Sequence, residues 1–389
     1  MFLQSLSPPT NLVVVKASLS QIGRYRVEEK IGTGGMASVY RAVLEGAQGF
    51  ERQVAIKVLH PHLTDDKEYV KMFRKEAQIA SRFEYPVLVP VSDLGCADGI
   101  HYMVMDYLEG ETLSELNARY REMGKPFPRG HAIWIIAQIL DGLHYAHELN
   151  EIDGEAMGIV HRDVSPRNIV VSRNGSVRLV DFGVARQANK GKTRAGVVKG
   201  TIPYMPPEQA RGDTPDRRAD IFAAATILHE LLTGKPPMDD EQTEIQRQSL
   251  AQGIVKLDLK KLHLKLRPAL QKALAIEREN RFDTAEDFAC ELREILATLE
   301  PDYEPAKLIG ITGMRKLRRR RKQERKSRKE SRFRTENADR ESAAPKALKS
   351  RAGYSAGVHE MVWDGPKTVG TFALLIFLSA MVYTFISGI

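Results

Sequence analysis

Three short stretches of this 389-residue chain hold residues whose types and spacing suit the handling of phosphate. The first is Ile31-Gly32-Thr33-Gly34-Gly35-Met36-Ala37-Ser38-Val39. Glycine has no Cβ, so a phosphate can come close to backbone N–H groups there, although a plain glycine turn between two strands is spelled the same way. The second is Val54-Ala55-Ile56-Lys57, a strand-like run ending in a cation, with Phe73-Arg74-Lys75-Glu76-Ala77 following in a helical stretch. Lys57 can meet a nucleotide's phosphates while paired with Glu76; taken singly, the two read more readily as a solvated strand end and a helix-surface acid. The third is His161-Arg162-Asp163-Val164-Ser165-Pro166-Arg167-Asn168, followed, across a strand pair turned at Asn174-Gly175, by Asp181-Phe182-Gly183 and later by Pro206-Pro207-Glu208. The order of these stretches carries more information than any one of them.

The elements that must position these residues are readable from periodicity. Alternation near Tyr25-Arg26-Val27, followed by the glycine cluster, predicts that regular structure begins there as a hairpin and that the first lobe is mostly sheet. From Thr112 onward the periods turn helical, as in the apolar run from His131 through Leu140 to Leu143 and His147. The last such segment, Ala285 to Leu296, is amphipathic, and Pro301 and Pro305 after it mark a boundary. Residues 1–22 read as a flexible lead, since Leu12-Val13-Val14-Val15 is too short for a signal peptide and has no basic stretch before it. No internal repeat is present. Cys96 and Cys290 lie far apart with no CxxC pair, which fits a reducing compartment and no structural zinc. The net charge of +8 is local: residues 315–334 hold thirteen Lys/Arg against two Glu, which leaves the rest of the chain at −3. Residues 369–389 are 21 positions without a charge, about 31 Å as a helix and enough for a membrane's hydrocarbon core.

With these motifs in this order, residues from about 23 to about 297 resemble the protein kinase superfamily, specifically the bacterial eukaryotic-like (Hanks-type) serine/threonine kinases. The resemblance implies an α+β fold of two lobes, a β-rich N-lobe to about residue 108 and an α-helical C-lobe from about 109, within a kinase domain over 23–298. It implies ATP and Mg²⁺ as cofactors, with Mn²⁺ as an alternative metal. Asp163 would accept the proton of the substrate hydroxyl, Asn168 and Asp181 would hold the metal, and Lys57, fixed by Glu76, would bind the α- and β-phosphates. Beneath the glycine loop (Gly32, Thr33, Gly34, Gly35, Met36, Ala37, Ser38), adenine would lie between Ile31, Val39 and Ala55 and the lower lobe. Its edge would bond the backbone around Asp106 and Leu108, with Met105 as gatekeeper as well as a core methionine. Asp220 would anchor the catalytic loop's backbone, and Arg281 would pair with Glu208. Three positions depart from the family's spelling. Ala37 replaces the third glycine and Pro206 an alanine, both without consequence. Ser165 stands where serine/threonine members place a lysine that contacts the transferring phosphate, so one positive charge is missing.

The expected activity is therefore transfer of the γ-phosphate of ATP to serine and threonine hydroxyls of protein substrates, with autophosphorylation between Asp181 and Glu208. Thr193, among Lys190, Lys192 and Arg194, is the phosphosite candidate, since a phosphate there could pair with Arg162; Thr201 belongs to the substrate loop. A pseudokinase-like membrane-anchored scaffold is the rival reading, opposed by the presence of Lys57, Glu76, Asp163, Asn168 and Asp181. A small-molecule kinase is opposed by Pro207-Glu208 and Asp220. Residues 299–366 read as a basic juxtamembrane linker and 367–389 as a single membrane span, with Trp363 and Lys367 before it. Positive charge upstream of the span predicts a cytoplasmic kinase domain and contact with anionic lipid; the resemblance implies a bacterial inner membrane, and anchoring would promote self-association. No folded segment is expected beyond the span. A nucleic-acid arm is disfavoured because the basic run lacks interleaved aromatics.

Overall fold

The computed structural model describes residues 20–308, apart from 152, 183–201, 236–247, 249 and 254–258. Gly183, Thr193, Thr201, the basic run 315–334 and the apolar block 369–389 thus lie outside the described residues.

The first lobe is an antiparallel sheet of β1 (Gln21–Ile22), β2 (Tyr25–Thr33), β3 (Ala37–Glu45), β4 (Glu51–Leu59), β5 (Val91–Ala97) and β6 (Ile100–Asp106), in the order β1-β2-β3-β4-β6-β5. Its one long helix, α1 (Lys67–Ala80), starts at Asp66, whose side chain accepts from the N–H of Glu68 at 3.0 Å. The second half of β4 is apolar on both faces because both faces are covered. Alternation sends Val54, Ile56 and Val58 into a cluster with Ile22, Tyr25, Tyr102 and Val104, and sends Ala55 and Leu59 into the main core with Phe73, Met103 and Met105. Lys57 is thereby committed to the inner face. Regular structure begins earlier than the hairpin signal at Tyr25: Ile22 pairs with Tyr25 and is 2% exposed, so the last two residues of the expected lead belong to the sheet. Two residues are too few to show a period.

The second lobe carries a three-stranded sheet, β7 (Gly110–Thr112), β8 (Ile169–Ser172) and β9 (Val177–Leu179), and otherwise helices. These are α2 (Leu113–Glu122), α3 (Arg129–His147), α4 (Pro207–Arg211), α5 (Arg218–Thr233), α6 (Arg267–Ala273) and α7 (Ala285–Leu299). Helices α2 and α7 open on reciprocal caps, Thr112 with Glu115 and Thr284 with Asp287. Helices α3 and α5 are apolar almost all round and sit in the centre. Gly142 lets α3 approach the first lobe, since a Cβ there would lie 2.9 Å from the side chain of Val87, and one core runs unbroken from β4 and α1 through Val87 and Leu88 to α3.

The chain does not leave this lobe at Leu299, where the linker was expected to begin. Pro301 and Pro305 end the helix but not the packing. Glu300 accepts from Arg129, the Tyr303 hydroxyl meets His131 Nδ1 at 3.0 Å, and Leu308 is fully buried. Among the described residues no helix is long and apolar enough to cross a membrane.

Candidate active site

Between β2 and β3 the glycine turn closes through the N–H of Gly34 donating to Ala37 O at 2.8 Å, while Gly32 pairs with Val39 and Thr33 with Ser38. A Cβ on Gly32 or Gly34 would meet nothing nearer than 3.8 or 3.6 Å. The turn's own packing therefore does not demand glycine at these two positions; what the missing side chains leave open is the approach to the backbone, as a phosphate cradle requires. Ala37 and Ser38 are buried beneath it, and Ile31 is 45% exposed at its edge. Below lies an apolar slot. Ala55 pairs in register with Met105, which is buried, and Val39 and Leu108 are half-buried against the same core. The Asp106 carboxylate is turned outward to Arg52 at 2.6 Å, so what it offers a ligand here is its backbone.

Lys57 reaches from β4 to two carboxylates, Glu76 Oε1 on α1 at 2.5 Å and Asp181 Oδ1 after β9 at 2.9 Å. The side chains of Lys57 and Glu76 are 9% and 5% exposed, that of Asp181 37%. Burial works against the ammonium, but the carboxylates of Asp181 and Glu76 outweigh it and hold the Lys57 pKa above its usual value. A permanently charged lysine is thus fixed below the glycine turn, with its second carboxylate on the open side. Asp181 itself has φ +60°, a left-handed conformation uncommon outside glycine, which aims the carboxylate at this cleft.

The stretch from His161 to Asn168 is held from beneath. Asp220, on α5 and 1% exposed, accepts from the N–H of His161 at 2.8 Å and of Arg162 at 2.9 Å, and from His147 Nε2 at 2.8 Å. Burial alone would raise its pKa; the hydrogen bonds from His147 and the His161 backbone hold it below the ordinary carboxylate value. The two backbone donors belong to the turn in which Arg162 takes φ +65°. His161 is fully buried, and burial lowers its pKa, so the ring is neutral. Its Nε2–H donates to Val180 O at 3.3 Å, and Nδ1 accepts from the N–H of Asp163. Phe182 packs on this ring at 4.4 Å between centroids and on Phe83 at 4.6 Å, tying Asp181 to the end of α1. Asn168 donates Nδ2–H to the carbonyl of Asp163 at 2.8 Å, which orients the amide and reserves its oxygen for another ligand. The Asn168 backbone carbonyl accepts from the N–H of Val180 at 2.9 Å, which places Asn168 beside Asp181, and their amide and carboxylate oxygens are the kind of donor a hard divalent cation takes. Ser165 is 3% exposed and supplies no charge there.

A family model described as the protein kinase domain matches residues 25–298. The chain belongs to the protein kinase family. The tyrosine-protein kinase MasK of Myxococcus xanthus is 40% identical over 75% of this chain and 47% of its own length. The serine/threonine-protein kinase PrkC of Bacillus subtilis is 34% identical over 74% of the chain and 44% of its own length, and PknB of Mycolicibacterium smegmatis 36% identical over 72% and 44%. The chain spans less than half the length of these curated relatives. Among solved structures, the PknI kinase domain of Mycobacterium tuberculosis is 28% identical at a TM-score of 0.54, covering 72% of this chain and 100% of that one.

The kinase domain also carries its scaffold pair. Arg281 donates through Nη1 and Nη2 to the two oxygens of Glu208 at 2.7 and 2.8 Å, with side chains 0% and 3% exposed. Two contacts around the site were not read from the sequence. His147 is the third donor to Asp220, and the signal available was a histidine on a face of α3 otherwise reserved for the core. Glu230 accepts from Tyr204 at 2.6 Å and from Asn117 at 2.9 Å, bracing the approach to α4 from α5 and α2; nothing local to Glu230 in the sequence announces this.

Proposed function

We propose that this chain is an ATP- and Mg²⁺-dependent protein kinase that phosphorylates serine and threonine hydroxyls. The carrying observation is Lys57 held between Glu76 and Asp181 beneath an open glycine turn, with Asn168 bonded both to Asp163 and to Val180 beside Asp181. In this reading Lys57 binds the α- and β-phosphates, and Asn168 and Asp181 hold the metal. Mg²⁺, when bound, supplies positive charge against the phosphates during transfer. Asp163 orients the acceptor hydroxyl and takes its proton as that oxygen bonds to the γ-phosphorus, while the bond from the γ-phosphorus to the β–γ bridging oxygen breaks and ADP leaves. The decisive experiment incubates the intact chain with labelled ATP and Mg²⁺ beside Asp163→Asn and Lys57→Met, and maps phosphate by mass spectrometry. Phosphoserine or phosphothreonine absent from both variants is the expected result. ATP binding without any transfer would put a non-catalytic scaffold in its place.

A second acceptor class has an observation in its favour: the Myxococcus relative is named a tyrosine kinase, and Ser165 leaves the loop without its lysine. Phosphotyrosine in the same experiment would reassign the acceptor.

Regulation and location belong to the same proposal. Arg162 is half-buried, and its Nε has no partner among the described residues; burial lowers its pKa, so an incoming anion would relieve it. Phosphate on Thr193 is the anion we assign to it. Residues 367–389 would anchor the kinase at a bacterial inner membrane, with the domain cytoplasmic and the basic run on anionic lipid, and would bring copies together for activation. If deleting 366–389 leaves autophosphorylation in cells unchanged, anchoring plays no part in activation.

A further inference from the structure

His60 stands immediately after β4, where the strand has delivered Val58 opposite Ser38 and Leu59 opposite Ala37. The next residue is Pro61, and a residue before proline is driven out of the helical region, which matches the extended φ −64°, ψ 140° at His60. The turn that follows is closed by Leu63 N–H to His60 O at 2.9 Å and by the Thr64 hydroxyl to Pro61 O at 2.7 Å, so the ring of His60 projects from a fixed backbone. It projects toward the glycine turn. His60 Nε2 lies 3.1 Å from Ser38 Oγ, and the His60 N–H donates to Met36 O at 2.8 Å. One residue following β4 thus holds the loop at two positions, Met36 through its backbone and Ser38 through its ring. Ser38 is 5% exposed, so its hydroxyl is committed to this contact.

We infer that His60 is a positioning residue for phosphate binding, a strut that holds the glycine turn through Ser38 in the shape that receives a nucleoside triphosphate. The inference rests on the ATP-binding reading above. Gly34 and Gly35 give the turn no side-chain packing there, and each unfixed residue adds conformational entropy that nucleotide binding must remove. Burial lowers the His60 pKa, and His62 and Lys30 add to this, so at neutral pH the ring acts as a hydrogen-bonding group and not as one more phosphate-binding cation. A ground-state positioning role shows as weaker ATP binding at unchanged turnover.

The test measures KM for ATP, kcat and thermal unfolding on the intact chain for wild type, His60→Ala, Ser38→Ala, the double variant and His60→Gln, whose amide reaches the position of Nε2. Loss of one such hydrogen bond raises KM for ATP about three- to ten-fold. The strut predicts that rise in both single variants with kcat within about two-fold, a double variant no worse than the weaker single one, and recovery in His60→Gln. Unchanged KM, kcat falling in step, or additive single effects would overturn it. Should His60→Ala lose its unfolding transition, Ser38→Ala and His60→Gln decide, because both keep the loop's backbone contacts. A wild type that binds no ATP sinks the nucleotide reading together with the strut; a wild type that binds it no better than the variants sinks the strut alone.

Discussion

Two buried ion pairs, one in each lobe, use the same chemistry to opposite ends. Arg281 and Glu208 are closed on themselves: beyond the two-pronged contact, Arg281 donates to the carbonyls of Ala275, Arg218 and Ile276 and lies over the ring of Phe222. Every donor direction is used, and nothing from outside can enter. Lys57 is instead shared between carboxylates from two segments, and the one toward the cleft, Asp181, is over a third exposed. A closed pair fixes structure; an open one keeps a charge in place for something that arrives. The contrast is between satisfied and unsatisfied geometry, since Lys57 and Glu76 are nearly as buried as Arg281 and Glu208.

The largest effect expected from breaking this comparison is at the closed pair. Arg281→Met leaves the Glu208 carboxylate buried and uncompensated and should cost about 3–5 kcal/mol of stability, read by denaturant unfolding. Adding Glu208→Leu should restore much of that loss; a double variant as unstable as Arg281→Met would show that the other contacts of Arg281 matter more than its charge. Lys57→Met should behave in the reverse way. Phosphoryl transfer should fall by about 10²–10³-fold, the scale of losing one preorganised donor at developing charge. Stability should fall by less than in Arg281→Met. Without the ammonium, burial pushes the Glu76 carboxyl up and it takes a proton, while Asp181 turns to water. Equal destabilisation by the two variants would remove the distinction.

His161 links the two regions, with its ring under Phe182 and its backbone on Asp220, and gives a pH test. Its folded pKa lies below the ordinary value, so the unfolded chain binds the extra proton first as pH falls. Its contribution is complete above the unfolded pKa of about 6.5 and is lost progressively below it, down to the folded pKa. Stability should therefore decline below about pH 6.5, at up to roughly 1.4 kcal/mol per pH unit from this group. The half-buried His60 and the buried His131 shift the same way and add to the slope. Unfolding measured from pH 7.5 to 5 in wild type and His161→Phe checks it: the variant should be less stable throughout but flatter. Parallel curves would move the proton uptake to the other two histidines.

What was legible follows from how far each signal reaches along the chain. Lys57 and Glu76, and Asp220 beneath the catalytic loop, were visible as contacts because their motifs occur in a fixed order, which stands in for the missing third dimension. Helices α3 and α7 were visible because their apolar periods are long. The docking of residues 300–308 was not, because proline speaks only to helix continuation. The cues were non-local: Tyr303 and Leu308 downstream, and Gly130 on α3, where a Cβ would collide with Glu300 and Tyr303. The strut from His60 was missed for a similar reason. Ser38 lies in β3 and His60 follows β4, and only the register that places Val58 opposite Ser38 brings the two together.

A third ion pair sharpens the comparison from the weak side. Arg82, just past α1, donates to Glu151 at 2.7 Å, with side chains 40% and 45% exposed. Its position is suggestive, since Phe83 beside it packs on Phe182 and Glu151 sits in the loop between α3 and the catalytic stretch. Solvent screening and side-chain entropy nevertheless limit such a pair to about 0–1 kcal/mol. Glu151→Gln should therefore shift stability by less than about 0.5 kcal/mol and leave ATP turnover within two-fold, with the residual effect fading as salt is raised. A loss of turnover at unchanged stability would mean that the α1 end is held from this loop, and that an exposed pair can do the positioning that we assign to buried ones.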